Sequence, residues 1–299
     1  MTITIPQHRT PVLASAYLAA AVAVVIWGAT PAATKFAVLH FDPFIAAILR
    51  TVVAALLLSP ILLFGRFPLP RTLGDWTLLG LASFGGFIGF TLFFSYGVQQ
   101  TSASHAALIN AGIPIFTGIF GACAERRLPG RLWFAGVGLA ILGEVMLISL
   151  RGADAGEVTL KGDLLCVIAS ACSGMCYVAG ARLSTRLGAI SVTFWAVFFA
   201  GLLLLPWLVW AGLDFDWSTV GRQGWSAMAY LVVFSTLIGF VVWYWALAKG
   251  GPVRMGTVQF AMPVVSLALA VWFFDDQLTA PLLLSTAIII AGIAVARRG

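Results

Sequence analysis

The chain has 299 residues, of which 61% are hydrophobic and only 9% are charged, and its mean hydropathy is +1.02. A soluble domain carries roughly 25% charged residues, so this composition excludes a soluble fold and indicates a surface that faces lipid. The formal net charge is +6, but no basic run is interleaved with aromatic residues. We therefore interpret the basic side chains as loop residues beside anionic lipid, and we expect no nucleic-acid partner.

Ten apolar stretches are long enough to cross the hydrocarbon core as helices, since a spanning helix needs about 20 residues. Their approximate bounds are 14–34, 44–64, 75–98, 103–124, 131–150, 162–182, 190–212, 225–248, 254–274 and 278–297. The first stretch is interpreted as an uncleaved span, because many further spans follow it. The sequence therefore predicts an all-α polytopic membrane protein with ten transmembrane helices embedded in a lipid bilayer.

The distribution of charge predicts the orientation of these spans. Most of the 17 Lys and Arg residues lie in loops on the side of the N-terminus, and most acidic residues lie in loops on the other side. Loops rich in Lys and Arg remain in the cytoplasm. We therefore expect both termini to be cytoplasmic, which an even number of spans allows.

The second half of the chain repeats the first. Asn110 lies four residues before Pro114 in the fourth span, and Gln259 lies four residues before Pro263 in the ninth, at an offset of 149 residues. A period of this length indicates a duplicated domain rather than a solenoid of short repeats.

Each copy has five predicted spans, which is an odd number, so the second copy must enter the membrane from the opposite side. The sequence therefore predicts two inverted repeats, 14–150 and 162–297, around a central cavity, with 151–161 as a periplasmic connection. Inverted repeats with a site at their interface are typical of secondary transporters.

Polar side chains inside apolar spans are costly, so each is a candidate for function. Ser95 and Gln99 belong to one polar stripe of the third span, and Asn110 and Gln259 precede the two prolines. An amide group both donates and accepts hydrogen bonds, so Asn110 and Gln259 together would hold the ammonium and carboxylate groups of an amino acid. Hydrogen bonding between helices is the alternative for all four side chains.

Aromatic residues and the two prolines complete the predicted site. The aromatic residues expected to stack on a substrate are Trp27, Tyr96, Tyr177, Trp243 and Tyr244. Pro114 and Pro263 each remove a backbone donor, which leaves carbonyl groups one turn earlier for a substrate amine or for a hinge. A static kink set by packing is the alternative for the prolines.

Three charged residues are interpreted as part of a gate: Lys35, Arg50 and Glu144. Arg50 lies several residues into its span, so we expect it to pair with Glu144 or with Asp42, and a proton-coupling site is the alternative. Lys35 is also placed to attract a substrate carboxylate. Because few titratable groups lie near the midplane, we expect transport to run down the substrate gradient with little or no ion coupling.

The chain resembles the EamA type of the drug/metabolite transporter superfamily, including its aromatic amino-acid exporters of YddG type. The resemblance rests on Trp27, Gly28, Pro31, Lys35, Pro43, Arg50, Glu125, Arg126, Gly136, Val137, Gly138, Gly143, Ala291 and Gly292. It implies a secondary transporter of the bacterial inner membrane that exports amino acids and related metabolites by alternating access. It also implies no cofactor, and a monomer or a weak homodimer.

Other functions are kept as alternatives. An exporter of drugs or quaternary ammonium ions belongs to the same superfamily, whereas a channel and a membrane-embedded enzyme belong to other classes. The three histidines, His8, His40 and His105, are far apart in the sequence, which disfavours the convergent residue set of an enzyme. The nucleotide-binding pattern G-x-x-x-x-G-K-[ST] is also missing from the sequence.

Overall fold

The computed structural model describes residues 10–125, 130–149, 158–250, 258, 262–275 and 277–296, and all regular structure in these ranges is helical. The α-helices are α1 (Thr10–Gly28), α2 (Thr30–His40), α3 (Pro43–Phe64), α4 (Leu73–Ser83), α5 (Phe90–Gln99), α6 (Ala103–Asn110), α7 (Ile113–Glu125), α8 (Arg131–Ser149), α9 (Leu160–Leu187), α10 (Ala189–Leu213), α11 (Arg222–Ala229), α12 (Gly239–Gly250), α13 (Met262–Phe274) and α14 (Ala280–Ala296). Two π-helical segments, π1 (Phe84–Gly89) and π2 (Tyr230–Ile238), join α4 to α5 and α11 to α12. A short 3-10 turn covers Trp217–Thr219.

Seven helical stretches of the described chain are long and apolar enough to cross a membrane. They are Leu13–His40, Pro43–Leu62, Leu73–Gln99, His105–Ala124, Leu160–Leu187, Ala189–Leu213 and Arg222–Trp243. Arg131–Gly143 and Ala280–Gly292 are shorter apolar helices. The all-helical class agrees with the sequence prediction, whereas the count of ten spans and the inversion of the repeats stay predictions.

Large apolar side chains cover much of the outer surface. Phe64 is 90% exposed and Trp272 is 81% exposed, and exposed Leu, Val and Trp residues occur along most of the helices. A monomeric soluble protein rarely shows such continuous apolar area, so this surface is the one that lipid covers.

Polar residues at the loop ends determine where the helices begin. The side-chain oxygens of Asp42, Thr72, Ser102 and Thr159 each accept a hydrogen bond from a backbone N–H in the first turn of α3, α4, α6 and α9, at 2.8 to 3.1 Å. Such caps satisfy donors that the helix itself leaves unpaired. Gly188, with a φ of 82°, provides the left-handed residue that separates α9 from α10.

The duplication seen in the sequence reappears in the helix bounds. Among the described residues, Ile113–Glu125 and Met262–Phe274 are both helical, and the offset of 149 residues maps the first range onto the second. The same offset places π1 within π2. Two unusual π segments at equivalent places are strong structural support for a duplication, because π-helices are rare.

The structure changes the interpretation of Pro114. It is the second residue of α7, where a missing N–H costs no intrahelical bond. Pro263 follows Met262 in α13, and the residues just before Met262 lie outside the described part of the chain. Before Pro114 the helix is interrupted between α6 and α7. At this interruption the Ile109 carbonyl accepts hydrogen bonds from the Gly112 N–H at 3.0 Å and from the Ser170 hydroxyl at 3.3 Å. A static kink within one continuous helix, the alternative given for the prolines, therefore does not describe Pro114, where the helix ends and restarts, and the hinge stays a prediction.

The helices pack in pairs that relate the two halves. Helix α1 packs against α12, and the corresponding helix α9 packs against α5, while α3 packs against α10 and α8 against α14. When each helix is replaced by its equivalent in the other half, the α1–α12 pair becomes the α9–α5 pair. The α3–α10 and α8–α14 pairs remain the same, because each joins two equivalent helices. This is the pattern expected of two structurally related copies.

Close contact between α9 and the α4–π1 region depends on glycine. A Cβ atom at Gly85 would lie 2.5 Å from the Cys172 carbonyl oxygen, and one at Gly86 would lie 2.5 Å from the Cys176 sulfur. Both distances are shorter than any real Cβ contact, so the backbones approach closely only because these side chains are hydrogen atoms. Gly85, Gly86, Cys172 and Cys176 are therefore packing residues in this structure.

Gly85→Ala is expected to destabilise the protein, because the new methyl group has to push the α9 backbone away. Gly80 is the matched control, since it lies on the same helix and a Cβ there meets nothing within 4 Å. Thermal unfolding in detergent should show a lower Tm for Gly85→Ala and an unchanged or higher Tm for Gly80→Ala, since Ala favours a helix by about 1 kcal/mol over Gly. Equal Tm values for the two variants would contradict the close packing.

Candidate functional site

A small cavity lies at the centre of the helices, between the two halves of the chain. It encloses about 40 Å³, and both halves contribute to its wall. The lining residues are Trp27, Thr30, Arg50, Gly86, Phe90, Asn110, Ile113, Ser173, Tyr177, Ser235, Phe240 and Met262. A volume of this size holds only a few water molecules, so the cavity has to widen before a metabolite enters.

Arg50 is the charged residue of this wall, and it is 6% exposed. Its Nε donates to the Thr236 hydroxyl at 2.8 Å, and its Nη2 donates to the Ser235 hydroxyl at 2.9 Å. No described residue accepts a hydrogen bond from Nη1. The predicted pair with Asp42 is wrong, because the Asp42 carboxylate is exposed and caps its own helix. The side chain of Glu144, the other predicted partner, lies outside the described residues.

The π2 segment supplies both hydroxyl groups that hold Arg50. The Thr236 hydroxyl donates to the Leu231 carbonyl, five residues earlier, at 2.8 Å. The Ser235 hydroxyl lies 2.9 Å from that of Thr30, and the Ser235 carbonyl accepts from Trp27 Nε1 at 3.0 Å. These bonds join α1, α2 and α3 to π2, so the guanidinium group has a defined orientation.

Aromatic rings form one side of the cavity around Trp27. Its ring centroid is 5.1 Å from that of Phe240, 5.5 Å from that of Trp243 and 6.3 Å from that of Tyr177, which is stacked on it. Phe240 also contacts Phe87, at 5.0 Å between centroids. Offset and edge-to-face arrangements of this kind are the favourable ones for aromatic pairs. The wall therefore provides flat apolar faces beside the Arg50 guanidinium.

Asn110 lines the cavity at the break between α6 and α7. It is 4% exposed, and its Oδ1 accepts from the Ser170 hydroxyl at 3.2 Å. Its amide nitrogen donates to no described residue. The oxygen of Asn110 therefore makes a hydrogen bond between helices, which was the alternative given for this residue. Its nitrogen has no partner among the described residues, so substrate binding by this atom stays a prediction.

The structure brings together only some of the predicted site residues. Trp27, Asn110, Arg50 and Tyr177 line the cavity, and Trp243 packs behind Trp27. Ser95, Tyr96 and Gln99 do not line it, and Gln99 is exposed at the end of α5. Gln259 lies outside the described residues, as do the side chains of Pro114, Tyr244 and Pro263.

Two of the lining residues that sequence reasoning missed, Gly86 and Ser235, lie on the π segments. Ser235 and Phe240 both line the cavity, although they are five residues apart and an α-helix would turn them to different faces. The π2 segment widens the turn and so changes the register. In the third predicted span, Gly86 and Phe90 line the cavity, whereas Ser95 and Gln99 do not. The reason is that the cavity lies at the level of π1 and the start of α5 along this span. The sequence feature that could have identified Ser235 is its position next to Thr236, because two adjacent hydroxyl groups are unusual polar residues within an apolar span.

A second group of buried polar residues lies at the α5–α6 turn, and we call Lys35, Thr101, His105 and Asp163 the Asp163 network. Thr101 donates from its hydroxyl to Asp163 Oδ1 at 2.6 Å, and His105 Nδ1 lies 3.3 Å from Asp163 Oδ2. The Lys35 ammonium donates to the Thr101 carbonyl at 2.9 Å and to the Val98 carbonyl at 3.3 Å. The network therefore joins α2, the α5–α6 turn and α9.

The Asp163 network changes how Lys35 and Asp163 are interpreted. Lys35 donates to carbonyl groups at the C-terminus of α5, a place that favours cations, and it does not line the cavity. Asp163 is an exception to the expectation that most acidic residues lie in loops, because it is fully buried in the first turn of α9. Nothing in the local sequence distinguishes it from an exposed acid.

The opposite end of α9 is also tied to the first half of the chain. Arg182 Nη2 donates to the Ala124 carbonyl at 2.7 Å, and Arg186 forms an ion pair with Asp75. Asp163 is followed by Arg182 and Arg186 after 19 and 23 residues of the same helix, so the two groups of bonds are about 30 to 35 Å apart along its axis. The central cavity lies between them.

Comparison with known proteins agrees with this architecture. The model of the EamA-like transporter family matches residues 14–149 and again residues 160–298. The uncharacterized transporter YdeK of Bacillus subtilis (strain 168) is 31% identical over 279 residues, which cover 93% of this chain and 95% of that protein.

Two further relatives have descriptions that mention a substrate. The probable amino-acid metabolite efflux pumps of Salmonella typhimurium (strain LT2) and Escherichia coli (strain K12) are 28% and 27% identical, and the alignments cover 91% of both chains in each pair. A solved crystal structure superposes with a TM-score of 0.62 at 25% identity, covering 95% of this chain and 96% of the other.

The family match extends over nearly the whole chain and occurs once in each half. Seven described helices have the length and apolarity of membrane spans. Members of this family are transporters and not enzymes. The chain therefore belongs to the EamA-like transporter family of the drug/metabolite transporter superfamily, and it is a multi-pass membrane protein.

Proposed function

We propose that this EamA-like transporter exports amino acids, including aromatic ones, and related small metabolites across the bacterial inner membrane. The observation that carries the proposal is Arg50, a buried guanidinium on the wall of a central cavity beside the aromatic face of Trp27. Arginine binds carboxylates through parallel N–H groups, and a carboxylate is common to all amino acids. The two relatives described as amino-acid metabolite efflux pumps support the same class of substrate.

The proposed mechanism is alternating access between two inverted five-helix repeats. The Asp163 network ties one end of α9 to the first half, and the Arg182 and Arg186 bonds tie the other end. With both termini in the cytoplasm, the Asp163 network lies at the external end of α9, and the Arg182 and Arg186 bonds lie at the cytoplasmic end. Breaking one of these two groups of bonds at a time would expose the cavity to one side of the membrane and then to the other. The protein needs no cofactor in this mechanism, and it acts as a monomer or a weak homodimer.

Uptake into proteoliposomes that contain the purified protein tests the proposal. Radiolabelled amino acids, aromatic and aliphatic, are compared with hydrophobic quaternary ammonium ions, and protein-free liposomes give the background. We expect saturable uptake of amino acids and none of the cations, because the Arg50 guanidinium repels a cation from the cavity. Saturable uptake of the cations alone would reject the proposal and favour a drug exporter, and steady unsaturable currents would favour a channel.

Asn110→Ala is expected to lower transport about tenfold, which corresponds to about 1.4 kcal/mol of substrate binding. The amide nitrogen of Asn110 is an uncharged donor on the cavity wall that has no partner among the described residues, whereas the bond from Ser170 contributes only about 0.6 kcal/mol between membrane helices. Ser170→Ala is the matched control, because it removes the interhelical bond and leaves the amide nitrogen in place.

Half-saturating substrate concentration and Tm are measured for both variants. The prediction requires a transport defect in Asn110→Ala with a nearly normal Tm, and near-normal transport in Ser170→Ala. Equal defects in both variants would mean that Asn110 is a packing group. Gln259→Ala is expected to have an effect similar to that of Asn110→Ala, because Gln259 occupies the equivalent position in the second half.

A further inference from the structure

The charges around the cavity are unbalanced. Arg50 is the charged residue among those that line it, and no described Asp or Glu is part of the wall. Asp163, which is buried, accepts hydrogen bonds within its own network and does not line the cavity. A zwitterionic amino acid therefore finds a partner for its carboxylate but no described carboxylate for its ammonium group.

The hydrogen-bonding groups of the wall show the same imbalance. The Ser235 hydroxyl accepts from Arg50, the Ser235 carbonyl accepts from Trp27, and Asn110 Oδ1 accepts from Ser170. By contrast, Arg50 Nη1 and the Asn110 amide nitrogen donate to no described residue. The wall thus offers donors and has already used several of its acceptors, which suits an anion better than an ammonium group.

The remaining wall is apolar and flat. Trp27 and Tyr177 are stacked with 6.3 Å between ring centroids, and Phe240 meets Trp27 edge to face. Planar aromatic groups pack favourably against such faces. A ligand that matches the described part of the wall has one carboxylate, one aromatic ring and no positive charge.

We propose that this transporter also exports aromatic monocarboxylates that carry no amino group, as single anions and without a coupled ion. The inference rests on the proposed function and adds a substrate class to it. Such export moves one negative charge outward in each cycle, whereas a zwitterion moves none. The membrane potential, negative inside, therefore drives it directly, and 100 mV sustains about a fiftyfold ratio between the outer and inner concentrations.

Four compounds with the same ring and chain separate the contributions of the two charged groups. Phenylalanine has both groups, 3-phenylpropionate has only the carboxylate, and phenylalanine amide and phenethylamine have only the ammonium. Uptake, competition with labelled phenylalanine, and net charge movement on a solid-supported membrane are measured in proteoliposomes. Potassium gradients with valinomycin set the potential, and protein-free liposomes give the passive leak.

We expect 3-phenylpropionate to compete with phenylalanine at a similar or lower concentration, and to produce a current that follows the imposed potential. Phenylalanine should be transported without current, and the two amines should neither compete nor move. Arg50→Met should abolish the 3-phenylpropionate current, and Arg66→Met, at an exposed loop arginine, should leave it unchanged.

Three results would overturn the inference. If phenylalanine is transported and 3-phenylpropionate is neither bound nor transported, the ammonium group is required, and the proposed amino-acid export stands without this addition. If 3-phenylpropionate is transported without net charge, the anion is coupled to a proton and the direct action of the potential is wrong. If none of the four compounds is transported or bound, the proposed function fails as well.

Discussion

Arg50→Met is expected to abolish transport of amino acids while the protein remains folded. The loss in kcat/KM should be at least about a hundredfold, or about 2.7 kcal/mol, because no other described residue of the wall can make a charge-assisted bidentate contact with a carboxylate. Stability should be unchanged or higher, since a buried charge replaced by an apolar group of similar volume is often neutral or stabilising. The hydroxyls that hold Arg50 keep other partners, at Thr30 and at the Leu231 carbonyl.

Uptake kinetics and thermal unfolding are measured on the same preparations. Arg50→Lys keeps the charge but loses the planar fork, so we expect an intermediate loss of about tenfold. Arg66→Met is the control for a change of the same chemistry at an exposed site. Normal uptake by Arg50→Met would remove the guanidinium from the proposed site. If Arg50 instead works through an ion pair with Glu144, Glu144→Gln should reproduce the defect, which carboxylate binding does not predict.

Asp163→Ala is expected to have the opposite profile, with a large loss of stability and retained substrate binding. The Asp163 carboxylate is fully buried and holds Thr101 and His105 at the α5–α6 turn. Hydrogen bonds to a buried charged group contribute about 1.5–3 kcal/mol each, so we expect a loss on the order of 3 kcal/mol. For a chain of this size such a loss lowers Tm by roughly 5–10 °C.

Differential scanning fluorimetry in detergent and equilibrium binding of labelled substrate check this prediction. Asp163→Asn keeps an oxygen acceptor for Thr101 and should lose less stability than Asp163→Ala. Asp216→Ala is the control, because that carboxylate is exposed and bonds to Ser218 within its own turn. A Tm for Asp163→Ala equal to that of the unmodified protein would show that the network does not hold this end of α9.

The membrane class, the helical fold and the duplication were all predictable from the sequence. Hydropathy accumulates along the chain regardless of how helices pack, so an apolar stretch indicates a span before any contact is known. The repeat is visible because Asn110 with Pro114 and Gln259 with Pro263 keep the same spacing. The structure adds two π segments at equivalent places to this repeat.

The composition of the cavity wall was only partly predictable, because helical periodicity fails at the π segments. The polar stripe with Ser95 and Gln99 is regular along α5, but the cavity lies at the level of π1 and not beside that stripe. A turn of 3.6 residues also misses Ser235. In the structure π1 and π2 shift the register, so that Gly86 and Ser235 line the cavity. Sequence patterns alone do not reveal where an α-helix widens into a π-helix.

Long-range contacts decided the roles of the charged residues. Composition, hydropathy and internal spacing already specify a duplicated helical membrane protein, because each is a property of the chain that does not depend on which helices meet. The partners of Arg50 lie 185 and 186 residues away in the chain, and Asp163 is buried only because α2, α6 and α9 converge on it. A buried charge is stable only where distant groups solvate it, so the packing of the helices made Arg50 a cavity residue and Asp163 a tie between helices.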